Sequence, residues 1–265
     1  MINKNPFSLD GQVSIVTGGA GHFGKEIVKS LFNAGSNVII VGRTEEKIMK
    51  LTNEIDSSGK KILPIIADIT NELDRQKIIS EAKITYKKIN IIVNNAYFGK
   101  GGSIEISTAE DFRSAYEVSV VSAFEMVRLS LDIIKETAKK ENASIINISS
   151  MYGSISPDFK IYDSPASYNP IFYGSAKAAM QQMSRYLAAS LGPDGIRVNS
   201  ISPGPFPNQT AQEDRDFIQR LAMKTMLGRI GQPAELANAV LFLASSASSY
   251  ITGSNLAIDG GWTAW

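Results

Sequence analysis

Thr17-Gly-Gly-Ala-Gly-His-Phe-Gly24 is the stretch that decides the fold. It follows a short β-rich run, Val13-Ser-Ile-Val-Thr17, and opens a helical pattern from Gly24 to Asn33 that stops at Ala34-Gly35. Gly19, Gly21 and Gly24 spell G-x-G-x-x-G between strand and helix, where such a turn receives a dinucleotide pyrophosphate. Helix N–H groups and the macrodipole favour an anion there. A nucleoside triphosphatase reading uses the same residues, because Gly19-x-x-x-x-Gly24-Lys25 nearly matches a P-loop. The next residue, however, is Glu26. The hydroxyl that would hold Mg²⁺ is missing, and a carboxylate would sit against the phosphates.

Outward from this turn, strands and helices alternate. Asn37 to Val41, Ile62 to Ala67, Ile89 to Val93, Ala143 to Ile148, Ile196 to Ile201 and Asn255 to Ile258 read as further strands. Helices are expected over Thr44 to Ser57, Asn71 to Tyr86, Thr108 to Lys139 and Ser175 to Leu191, then near Glu213 to Thr225 and Pro233 to Leu243. Nearly continuous apolar strands in such an order mean a parallel sheet covered on both faces. The expected fold is therefore α/β: one doubly wound, seven-stranded parallel sheet of Rossmann type, in a single domain over 1–265.

Composition narrows the chemistry. The chain is 43% hydrophobic and 20% charged with net charge +1, so neither nucleic acid nor an acidic membrane surface is expected as a partner. There is no cysteine and one histidine. A disulfide framework, a thiolate nucleophile and a Cys-rich metal site are excluded. No G-x-S-x-G elbow occurs for a serine hydrolase. Met1-Ile-Asn-Lys-Asn-Pro6 lacks an apolar core, so no secretory leader is expected. Apolar runs such as Val38 to Val41 are too short to span a bilayer. The expectation is a soluble, cytoplasmic protein.

The end of the second strand bears on which dinucleotide binds. A carboxylate there holds ribose hydroxyls, whereas an arginine suits a 2′-phosphate. The chain reads Val41-Gly42-Arg43-Thr44, and Arg43 can make charge-assisted phosphate bonds. Glu45 and Glu46 follow closely and oppose this. NADP(H) is the preferred cofactor, with NAD(H) possible.

Tyr173-Gly-Ser-Ala-Lys177 carries the candidate reaction chemistry. Residues four apart lie on one helix face. A phenol titrates near pH 10 and is a poor base at neutrality, but a neighbouring cation stabilises the phenolate. Lowering its pKa by roughly 3 units asks for about 4 kcal/mol. With 9 Tyr and 18 Lys in 265 residues, chance alone gives about 0.6 such pairs, so the spacing by itself is weak.

Taken together, these residues resemble the short-chain dehydrogenase/reductase family from Leu9 to Asp259-Gly-Gly. The pattern includes Thr17-Gly…Gly24, Asp68-Ile69, Asn94-Asn95-Ala96, Ile148-Ser-Ser150, Tyr173-x-x-x-Lys177 and Arg197-Val-Asn…Pro203-Gly204. The resemblance implies cofactor contacts from Thr17, Gly18, Gly21, His22, Phe23, Gly24, Arg43, Asp68, Ile69, Asn95, Ala96, Pro203, Gly204 and Phe206. Tyr173 and Lys177 would join them at the nicotinamide. It makes Tyr173 the acid/base and assigns the substrate oxygen to Ser150, with Ser149 the alternative. Lys177 would bind the ribose and lower the Tyr173 pKa. Family members are commonly homotetramers, which implies a homo-oligomer, tetramer or dimer.

Three residues depart from the family pattern. His22 stands at the usual second glycine, where it could reach the phosphates or cap the helix. Tyr97 replaces the usual glycine of Asn-Asn-Ala-Gly. Ser119 stands where an Asn usually sits in a local helix distortion that holds a proton-relay water.

The Ser150–Tyr173 interval of 23 residues exceeds the family spacing of roughly a dozen, a comparison resting on the resemblance. An insertion over about 151–172 brings Tyr152, Phe159, Tyr162 and Tyr168, and with Tyr97 these form the candidate substrate wall beside a segment at about 205–225. Loops this long are usually functional or mobile. Aromatic rings among charges suit a polar, sugar-like small molecule, while a self-packed cover or subunit contact is the alternative. The local phrases are similar to branches acting on gluconate-like sugar acids, polyols and surface-polysaccharide sugars. A 3-oxoacyl thioester reductase and a non-catalytic dinucleotide-binding scaffold or redox sensor are the other readings.

Overall fold

The computed structural model describes residues 5–97 and 99–265. Met1–Lys4, on which part of the leader expectation rests, and Phe98 of the glycine-rich loop lie outside the described residues. In chain order the regular elements are β1 (Val13–Thr17), α1 (Gly24–Asn33), β2 (Asn37–Gly42), α2 (Glu45–Ile55), β3 (Ile62–Ile66), α3 (Glu72–Tyr86) and β4 (Ile91–Asn94). They continue with α4 (Ala109–Tyr116), α5 (Ser122–Ala138), β5 (Ala143–Ile148), α6 (Ile171–Leu191), β6 (Ile196–Pro203), α7 (Arg215–Met223), α8 (Pro233–Ala244) and β7 (Asn255–Ile258).

The seven strands form one sheet in the order β3-β2-β1-β4-β5-β6-β7, and every pairing is parallel. Because side chains alternate across a strand, β1 to β6 each feed two cores, while β7 packs one face through Leu256 and Ile258. Val13 and Ile15 of β1 face Ile78, Val127 and Leu187 of α3, α5 and α6. Val16 faces Ile27, Leu31 and Val240 of α1 and α8. Burial on both faces explains why the strands read as unbroken apolar runs.

Three expectations need correction. The helix expected over Thr108 to Lys139 is interrupted by a π turn at Glu117–Val121, which separates α4 from α5. Apolar periodicity continues on either side and hides the one-residue excess, but the turn falls at Ser119, where the family resemblance implied a local helix distortion. Helix α6 begins at Ile171, ahead of the Ser175 start, with Pro170 at its N-cap. The interval from Met151 to Pro170 contains three short 3₁₀ turns. No helix among the described residues is long and apolar enough to cross a membrane.

A chain of polar side chains runs through the core under the carboxyl ends of the central strands. Asn94 Nδ2 donates to Asn147 Oδ1 (2.8 Å), and Asn147 Nδ2 donates to Ser184 Oγ (2.8 Å). Asn147 is fully buried, and the bonds join β4, β5 and α6. Leaving buried partners unpaired costs roughly 1–3 kcal/mol. Asn147→Ala is therefore expected to destabilise the fold by about 2–3 kcal/mol. At roughly 2–4 °C per kcal/mol for a chain of this size, the melting temperature should drop by about 4–12 °C. A thermal unfolding curve showing no drop would refute this.

Candidate active site

At the carboxyl end of the sheet, β1 and β4 lie side by side and the chain leaves them for opposite faces. Such a switch point opens a crevice. A cavity of about 480 Å³ occupies it. Sixteen of the residues expected from sequence line this cavity: Gly18, Gly21, His22, Phe23, Arg43, Asp68, Ile69, Asn95, Ala96, Tyr97, Ser150, Tyr173, Lys177, Pro203, Gly204 and Phe206.

Two expected residues support the wall from behind it. Thr17 Oγ1 accepts the backbone N–H of Asn95 (3.0 Å) and of Ala96 (3.2 Å). Asn95 Nδ2 returns bonds to the carbonyls of Thr17 (3.0 Å) and Gly18 (3.1 Å). Gly18 has φ +62°, a conformation only glycine adopts freely. A Cβ on Gly24 would stand 2.1 Å from the Gly18 carbonyl oxygen. The turn thus leaves a bare backbone cradle at the start of α1, the geometry that admits a diphosphate.

The far end of the cavity is polar. Asp68 Oδ1 accepts from Thr70 N (3.0 Å) and Thr70 Oγ1 (2.8 Å). Burial raises its pKa, but the Thr70 bonds and Arg43 outweigh this and keep the carboxyl below its usual range. Arg43 Nη1 lies 3.8 Å from Asp68 Oδ2 and is 77% exposed, so the guanidinium stands in solvent at the end of β2.

At the other end, α6 brings Tyr173 and Lys177 beneath β5. Lys177 Nζ is buried, donates to the Ile148 carbonyl (2.7 Å) and stands 5.7 Å from the Tyr173 ring centroid. Ser149 Oγ donates to the Lys177 carbonyl (2.8 Å), so its hydroxyl is committed to holding α6 against β5. Ser150 Oγ accepts from Tyr152 N (3.2 Å), and Ser150 lines the cavity together with Tyr173 and lowers its pKa, which favours Ser150 over Ser149 for the substrate oxygen.

The electrostatics reverse one expectation. Burial pushes Tyr173 up to about 12, with Ser150 acting against it, and it pushes Lys177 down to about 7. Among this chain's own groups, desolvation of the phenol dominates, and Tyr97 and Tyr162 add to it.

The substrate-side aromatics divide. Tyr97 lines the cavity and meets the Tyr173 ring edge-on at 5.8 Å. Tyr152, Phe159, Tyr162 and Tyr168 are not among the cavity-lining residues. Tyr152 and Tyr162 join hydroxyls at 3.2 Å, Phe159 packs on Tyr168 at 4.6 Å, and Tyr162 packs on Phe217 of α7 at 5.9 Å. Ion pairs Arg220–Asp163 and Lys224–Asp158, each 2.6 Å, clasp this interval to α7 and the residue after it. Ser119 is buried in the π turn but does not line the cavity, whereas its neighbour Val118 does. Asn208 also lines it and carries no local sequence signal.

A crevice with a bare glycine turn at one end and a serine–tyrosine–lysine group at the other is that of a nicotinamide-dinucleotide oxidoreductase. The comparisons agree. A family model described as enoyl-(acyl carrier protein) reductase matches residues 19–263. The 7α-hydroxysteroid dehydrogenase of Escherichia coli K12 is 32% identical over 263 residues, 98% of each chain. A short-chain dehydrogenase of Leptospira borgpetersenii, solved with bound NAD⁺, is 35% identical with TM-score 0.86, covering 99% of this chain and 97% of that one. A gluconate 5-dehydrogenase of Burkholderia cenocepacia, solved with NADP and tartrate, is 26% identical with TM-score 0.85 and 98% coverage of both. The chain belongs to the short-chain dehydrogenase/reductase family.

The buried ammonium yields a test with a definite sign. A lysine whose folded pKa is about 7, against 10.4 when unfolded, burdens the fold fully below pH 7, and the burden lifts as pH rises toward 10. Lys177→Met is therefore expected to melt above the wild type at pH 7, with the difference shrinking toward about pH 10. A pH-independent difference would mean that Lys177 titrates normally.

Proposed function

We propose that this protein is an NADP(H)-preferring carbonyl reductase or alcohol dehydrogenase that acts on a small polar, sugar-like substrate. The observation that carries this reading is the placement of Ser150, Tyr173 and the buried Lys177 on one wall of the cavity, with Lys177 Nζ 5.7 Å from the Tyr173 ring. When bound, a nicotinamide dinucleotide supplies the hydride donor or acceptor. Ser150 holds the substrate oxygen and Tyr173 moves the proton. Held at about 12, Tyr173 is protonated at neutral pH and serves as the acid that completes carbonyl reduction. Lys177 binds the nicotinamide ribose. Ser119 and the π turn around it contribute to the proton path.

The substrate class rests on the wall. Tyr97 offers a carbon face with a hydroxyl. Tyr152 and Tyr162 are close enough to Tyr173 to influence it electrostatically. The likeness to a gluconate dehydrogenase points the same way. An acyl-thioester reductase is the second reading, favoured by the description of the matching family model. The exposed Val121 and Phe124 at the start of α5 suit packing against further copies, as a dimer or tetramer.

A screen of sugars, sugar acids and β-ketoacyl thioesters with both dinucleotides tests the substrate class. Turnover confined to thioesters would overturn the sugar reading. Tyr173→Phe is expected to bind NADPH as the wild type does and to lose turnover by about 10²–10⁴-fold, the usual worth of a general acid. Undiminished turnover would refute the role of Tyr173. Arg43→Asp is expected to lower the kcat/KM ratio of NADPH to NADH by roughly 10–100-fold, the scale of one charged hydrogen bond. An unchanged ratio would remove Arg43 as the selector.

A further inference from the structure

His22 is the single histidine of the chain, and it stands in the glycine turn immediately before Phe23 and α1. It lines the cavity together with Gly18, Gly21, Phe206 and Asn208. Its ring packs on Phe23 at 5.0 Å, and Phe23 meets Phe206 edge-on at 5.5 Å. The imidazole therefore sits between the turn that receives a diphosphate and the segment that follows β6. Its Nε2 is buried and makes no hydrogen bond among the described residues. Buried polar atoms nearly always have partners, and one without asks for an explanation.

We propose that His22 is a proton-linked clamp for the diphosphate of the dinucleotide: the ring takes up a proton from solvent when the dinucleotide binds, and the imidazolium then ties the anion to the Pro203–Asn208 segment. This rests on the reading of the cavity as the dinucleotide site. A neutral imidazole offers one donor and one lone pair, whereas the imidazolium offers two donors and a positive charge. A lone pair beside a diphosphate is unfavourable, and a second donor is favourable. The backbone carbonyl of Phe206 already favours the charged ring, but burial and Lys25 act against it and keep the pKa below its ordinary value. Glu26 of α1 is engaged by Lys29 at 3.7 Å. The opposing Pro203-Gly-Pro-Phe-Pro-Asn208 carries no ionisable side chain. Arg43 and Asp68 lie at the other end of the cavity, in contact with each other. Among the described residues nothing charges the ring, so an arriving anion decides its state.

Linkage makes the effect reciprocal. If binding raises the proton affinity of the ring by about one unit, the dinucleotide binds about tenfold more tightly to the protonated form. A chain with one histidine allows this to be read directly. NMR titration of imidazole-labelled protein reports His22 alone, free and saturated with NADH, whose diphosphate keeps its charge across the neutral range. The midpoint is expected to rise by about one unit or more on binding, and the NADH Kd to fall by up to about tenfold from pH 8 to pH 6. Lys177 also titrates near neutrality, but it is common to wild type and variant. The pH dependence lost in His22→Gln therefore isolates the imidazole. A midpoint unmoved with NADH demonstrably bound by fluorescence, or the same pH dependence of Kd in His22→Gln, would overturn the clamp and leave the dinucleotide site intact. If neither NADH nor NADPH binds, the reading of the cavity fails and the clamp fails with it.

Discussion

The hydrogen bonds that Thr17 and Asn95 exchange tie together the carboxyl ends of two strands from which the chain departs in opposite directions. Everything at the site is placed relative to that knot. It fixes the Gly18 carbonyl, which receives the closest approach of α1 through Gly24. It also carries the start of the segment that ends in Tyr97. A parallel sheet opens a crevice wherever consecutive connections diverge, and here the crevice edges are pinned by side chain to backbone bonds. The cavity is therefore a property of the framework, and the reactive groups are brought to it.

Those groups are held at a cost to the fold. Lys177 buries an ammonium against one carbonyl oxygen, and the half-buried Tyr173 phenol is desolvated at the cavity wall. Burial disfavours each charged form. A phenol kept protonated and an amine near neutrality form a pair whose charges respond to what enters the cavity. Ser149 lines the cavity, and its bond to the Lys177 carbonyl clamps the helix that carries both groups.

Much of this was legible in the order of residue types. The glycine turn, the alternation of strands and helices and the Tyr173–Lys177 spacing are local patterns, and they located the switch point and most of the cavity wall. What escaped depends on long-range packing. The direction of the Tyr173 shift follows from burial by parts of the chain distant in sequence. The aromatic interval between Ser150 and Tyr173 reads as a substrate wall, yet Phe159 and Tyr168 spend their faces on each other, and Tyr162 turns toward α7. No local signal separates a ring that faces a cavity from one that faces another ring. Asn208 escaped for the same reason.

The π turn between α4 and α5 acts as a phase shifter. One extra residue in a turn rotates all that follows by about 100° relative to a regular helix. Asp111 and Ala115 before it, and Met126, Val127 and Ser130 after it, are buried on one continuous rod. Two different neighbours are served: α4 packs with Phe172 and Ala176 of α6, while α5 packs on the sheet. Chain length within 117–121 is thus a gear ratio between the reaction end of the molecule and its core. A change of residue type there is a local matter, whereas a change of residue number would turn one half of the rod against the other.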